Sequence, residues 1–150
     1  QDFAWWSPFI AAYSSGVPAF FNPAMDYVAN PQYLHKPLTT VWNKLWQPVV
    51  TTTWPPGPNQ IGYGVISVSV DPNGTVILQV WGANAQDTYW TAYLLWSGSI
   101  NVNLQAPGTY IVQIRYGNVT LPAGYTLYYV TPYQHIATSA FAYTPPTFNA

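Results

Sequence analysis

Two patterns of apolar and polar residues divide the chain. From Ile61 onward the period is two: Ile66, Val68 and Val70 alternate with Ser67 and Ser69, the spacing of a strand. Asp71-Pro72-Asn73-Gly74 supplies a tight turn, with Gly74 suited to positive φ. Val76, Leu78 and Val80 continue on the return strand. Residues 88–96 (TYWTAYLLW) are β-branched and aromatic and apolar on both faces, which predicts a central strand. Ile100, Val102 and Leu104 alternate with Asn101, Asn103 and Gln105. Turns at Ala106-Pro107-Gly108 and Leu121-Pro122-Ala123-Gly124 bracket a strand that carries Tyr110, Val112, Ile114 and Tyr116. Residues 125–131 and 134–143 complete a set of seven strands, spaced roughly every 8–12 residues with turns between them. This predicts an all-β fold, an antiparallel β-sandwich of Ig-like or jelly-roll type, over residues 61–150.

Residues 1–60 read differently. They hold nine of the fifteen prolines and only two of the ten glycines, Gly16 and Gly57. Proline fixes φ and removes a backbone donor, so long helices and central strands are excluded. Scarce glycine makes the segment stiff. It also carries twelve aromatic residues, more than an unpacked tail has any use for. The expectation is an extended N-terminal arm packed against something. Residues 41–54 allow one or two more strands, with Pro48 forcing an edge or a break, and the pattern allows a short helix around Asp26–Tyr33. The hinge between arm and sandwich is Pro55, Pro56, Gly57 and Pro58.

Composition narrows the function. Charged residues make up 5% of the 150, namely Asp2, Asp26, Asp71, Asp87, Lys36, Lys44 and Arg115, where about a quarter is ordinary. Three cations cannot neutralise a phosphate backbone, so nucleic acid is not expected as a partner. Half the residues are hydrophobic, which excludes intrinsic disorder. No apolar run approaches the ~20 residues of a membrane span. A near-neutral surface held in water by Asn, Gln, Thr and Ser invites association between copies.

Catalytic chemistry lacks its parts, and the expectation is that the protein is not an enzyme. The four Asp are scattered. Asp71 starts a turn, Asp87 sits in a connection, Asp2 is near the terminus and Asp26 is suited to capping a short helix. There is no Gly-x-Ser-x-Gly elbow. With no Cys and two distant His, His35 and His135, no metal site and no cofactor are expected. Two sequons, Asn73-Gly74-Thr75 and Asn118-Val119-Thr120, fall at turns or strand ends where glycosylation is feasible. Gln1 in place of Met reads as the start of a processed chain, exported after removal of a signal peptide.

Three uses of the arm are open. It can fold back on its own sandwich as extra strands, enter the sandwich of a neighbouring copy as a donated strand, or present aromatic side chains to a sugar. For donation the suitable segment is Phe3-Ala4-Trp5-Trp6-Ser7-Pro8-Phe9-Ile10, with Phe3, Trp5, Trp6, Phe9 and Ile10 as the interface residues. Burying four such side chains contributes roughly 6–12 kcal/mol.

With its Gln N-terminus, few charges, many Tyr, Trp, Thr and Asn, sequons and an arm before a β-sandwich, the chain resembles subunits of archaeal extracellular filaments. These are the threads and bundling pili, together with the filament proteins attached to some archaeal virions. The resemblance covers the whole chain by composition and layout. It implies an extracellular, cell-surface or virion-surface homopolymer of identical subunits, joined by an N-terminal donor strand at about Asp2–Tyr13 and glycosylated at Asn73 and Asn118. It also admits a cell-surface or glycan receptor as a further partner. Two other readings are a carbohydrate-binding or adhesin module using Trp81, Trp90 and Trp96, and a virus capsid jelly roll.

Overall fold

The computed structural model describes residues 9, 11–13, 16–23, 25–26, 38–52, 58–70, 73–118, 121–130 and 142–143. These form an antiparallel β-sandwich with one helix on its outside. The larger sheet has the strand order β5-β4-β6-β7-β8, built from β4 (Ile61–Val70), β5 (Val76–Gly82), β6 (Gly108–Tyr116), β7 (Pro122–Val130) and β8 (Ala142–Tyr143). The smaller sheet has the order β1-β2-β3, from β1 (Ala19–Phe21), β2 (Thr40–Asn43) and β3 (Pro48–Thr51). Strands therefore come from both sides of residue 60, and the second layer is drawn from the proline-rich segment. Pro48 opens β3 at the sheet's edge, where its missing N–H costs no ladder bond.

The layers meet over one apolar core. Phe20, Phe21 and Val41 pack with Tyr63, Val65, Trp81 and Ile111 of the larger sheet. The Phe21 and Trp81 rings meet edge to face at 5.3 Å. Phe9, half-buried, and Ala12, 1% exposed, join the same core. Phe9 lies 5.6 Å from the Phe20 ring. Ser67 and Ser69 on β4 are also buried. The period-two pattern of β4 thus does not separate core from solvent. It separates two buried faces, because both sides of the strand are covered along most of its length.

The other face is covered by α1 (Ala85–Trp96), which corrects the strand expected over residues 88–96. β5 and β6 are both antiparallel to β4 and flank it, so they run parallel to each other. Parallel strands need a long crossover, usually helical, and α1 supplies it across β4. Asn84 caps the helix, its side chain accepting from the Asp87 N–H at 3.0 Å. Asp87, Trp90, Thr91 and Leu94 are the buried positions, a helical spacing. The strand expected over residues 100–105 is also corrected. Ile100 and Val102 pack against the core, but no ladder forms there. Of the short helix allowed around Asp26–Tyr33, Met25 and Asp26 are helical and residues 27–33 lie outside the described residues. Asn22, not Asp26, caps that turn, accepting from the Met25 N–H at 3.2 Å. Asp26 instead accepts from the Thr39 N–H and the Trp42 indole, both at 3.0 Å, which ties it to β2 and the residue before it.

Three glycines set how closely α1 approaches the sheet. A Cβ on Gly62 would overlap the Asp87 carboxylate, one on Gly64 the Thr91 hydroxyl, and one on Gly82 the helix backbone at Asp87 and Thr88. Into that space Asp87 places a wholly buried carboxylate. It accepts from the Tyr116 hydroxyl at 2.5 Å, the Tyr63 N–H at 3.2 Å and the Asn84 amide at 3.1 Å. Burial holds its pKa at about 6, against the lowering pull of those hydrogen bonds. The Tyr116 hydroxyl is pushed well above the usual range by burial and by the adjacent carboxylate.

Candidate functional site at the open end of the larger sheet

β5 ends the larger sheet, so one side of its backbone has no partner strand among the described residues. Toward Gly82 this edge is closed by the helix, whose Thr88 hydroxyl accepts from the Gly82 N–H at 2.9 Å. Toward Val76 nothing comparable closes it among the described residues. There Val70, Val76 and Leu78 are 45%, 63% and 49% exposed. Val70 pairs with Val76, and Val68 with Leu78, so all three exposed side chains lie on one face, the face α1 covers further along. β5 contains no charge and no proline. Edge strands are ordinarily protected by such residues.

A cleft of about 370 Å³ opens at the same end, between residues 16–18 and the ends of β4, β6 and β7. Val17, Val68 and Val130 line it together with Ser69 and Thr109. Ser69 is 5% exposed and its hydroxyl has no hydrogen-bond partner. A buried hydroxyl left unpaired is costly. Among the described residues, the end of the sheet therefore combines an unpaired backbone edge, an uncovered apolar face and an unsatisfied polar group.

Comparison with protein-family models, with curated proteins and with solved structures returns no match.

The residues singled out in the sequence are distributed as follows. Phe9 lies in the chain's own core. Phe3, Trp5, Trp6 and Ile10 lie outside the described residues, as do Pro55, Pro56 and Gly57 of the hinge, Asp2, Asp71, His35 and His135. Pro58 is in an exposed turn. Asn73 and Asn118 are both exposed. The Asn73 side chain accepts from the Thr75 N–H at 3.2 Å, a local turn bond. Trp81 and Trp90 are buried, at 7% and 5% exposure, and cannot stack on a sugar, whereas Trp96 is 82% exposed. Among the described residues no group of His, Asp and Glu is placed to hold a metal ion, and no helix is long and apolar enough to cross a membrane. Val70, Val76 and Leu78 were legible as strand residues. Their exposure was not, because it depends on which strand ends the sheet.

Proposed function

We propose that the chain is a structural subunit of an extracellular or virion-attached filament, polymerising by strand addition between identical copies. The β5 edge, which has no partner strand among the described residues, carries this reading. It offers a ladder of backbone groups with alternate apolar side chains beside it, the combination that an added strand satisfies. The donor is the aromatic segment before Phe9. Phe9 and Ala12 pack in their own subunit, so the donated residues are taken from those before Phe9. Donor and acceptor are different surfaces, so the contact is head to tail and propagates. The scarcity of charge in the chain favours it, since neutral copies do not repel.

Two variants test the joint. A chain lacking residues 1–8 keeps the acceptor edge and loses the donor. The double variant Val76→Lys, Leu78→Lys keeps the donor and loses the edge. Each alone should give β-rich monomers by circular dichroism and sedimentation, with no filaments in electron micrographs. Mixed, they should form a one-to-one dimer that grows no further. Filaments from the truncated chain, or a closed shell from the intact one, would sink the proposal.

A further inference from the structure

Beyond the covered part of the sheet, on the helix side, a second cleft of about 460 Å³ is lined by Asn101, Asn103, Ala106, Pro107, Tyr110, Leu127 and Tyr129. Its size falls within the roughly 300–1,000 Å³ of small-molecule sites. We propose that it binds a neutral saccharide. This does not rest on the filament reading, because none of its polar groups belongs to the β5 edge.

The two tyrosines form its wall. They are directly opposed across β6 and β7, with ring centroids 5.3 Å apart and planes inclined at 56°. Gly108 lies against both. A Cβ there would stand 3.3 Å from the Tyr129 ring and 3.6 Å from the Tyr110 ring, so a larger residue would crowd the pair. The Tyr110 hydroxyl accepts from the Asn103 N–H at 3.3 Å. The Asn103 carboxamide oxygen accepts from the Gln105 N–H at 2.9 Å, which shapes the rim. The ring positions are thus set before any ligand arrives.

What the cleft offers a ligand follows from the side chains. The Tyr rings present apolar faces with a polar tip, suited to the C–H face of a sugar ring. Asn101 is exposed and its amide makes no bond among the described residues, so it offers a donor and an acceptor side by side. A sugar hydroxyl is also both donor and acceptor. Among the described residues no charged group lines the cleft, which disfavours phosphates, carboxylates and amines and leaves a neutral polyhydroxylated ring as the matching chemistry.

Saturation-transfer difference NMR on the full chain tests this with three probes, cellotriose, chitotriose and mannotriose. At least one should show saturable binding. Tyr129→Ala should weaken it about tenfold or more. Asn101→Ala, a change at an exposed position, should weaken it without altering the fold. Trp96→Ala should leave binding unchanged. The proposal is overturned if none of the three sugars saturates, or if binding survives both cleft variants or depends on Trp96. Binding of an unstructured neutral peptide in preference to all three sugars would likewise overturn it.

Discussion

The two ends of the β4–β5 hairpin deal with the same outer face in opposite ways. Near Gly62, Gly64 and Gly82 the strands carry no side chains, and a helix lies directly on the backbone with a carboxylate buried beneath it. Near Val70, Val76 and Leu78 the strands carry apolar side chains, and no element of the described chain covers them. One end is closed by intramolecular packing. The other is uncovered among the described residues. The contrast shows why a chain with so few charges places one of them, Asp87, out of water altogether. That carboxylate fastens the closed end through Tyr116, Tyr63 and Asn84, and among the described residues it has no counterpart at the open end.

The largest effect should come from filling the closed end. Gly82→Ala places a Cβ against helix backbone at Asp87 and Thr88. No rotamer change relieves a backbone overlap. The loss should be about 3 kcal/mol, visible as a large drop in urea midpoint. Near-wild-type stability would show that the helix does not seat on the sheet as described.

Acid should strengthen the closed end. The Asp87 carboxyl titrates at about 6 in the fold and at 3.8 when unfolded. Between those values the native state binds more protons than the unfolded one, so stability falls as pH rises. The fold should be about 3 kcal/mol more stable below pH 4 than above pH 6 from this group. Asp26, also raised by burial, adds in the same direction. Asp87→Asn should lower stability at every pH, because its amide would meet the Tyr63 N–H and Asn84 donors. It should also leave only the pH slope that Asp26 contributes. A profile for the intact chain that rises from pH 4 to 6 would refute the assignment.

Much of the larger sheet was legible because its strands obey period two and its turns carry their own chemistry. Asp71-Pro72-Asn73-Gly74 stands between β4 and β5 as read, whereas Ala106-Pro107 leads from an irregular segment into β6, which Gly108 opens. The helix was not, since Thr88, Tyr89, Trp90, Thr91 and Tyr93 all favour strands by composition. One local signal opposed that reading: Asn84 stands three residues before Asp87, the spacing of a helix N-cap. What decided the matter was tertiary. The glycines of β4 and β5 made room for a helix, and a pattern of spacing within one segment does not reveal a partner face. The candidate site was less legible still. Val76 and Leu78 have the same alternation as Val112 and Ile114. Only the strand order makes the first pair an edge and the second pair core.

The smallest effect on stability should come from the open end, and it discriminates most sharply. Leu78 is half exposed, so Leu78→Lys removes little buried apolar area and should change the stability of the isolated subunit by no more than about 0.5 kcal/mol. If the uncovered face is merely a surface without a partner, nothing else should change. If it receives a strand from the next copy, the same substitution places a charge beside an apolar joint and should lengthen the lag of polymerisation or abolish it. An unchanged urea midpoint together with lost assembly separates the two ends of the hairpin by function. A large fall in stability would mean that Leu78 is already covered within its own subunit, and the contrast between the ends would disappear.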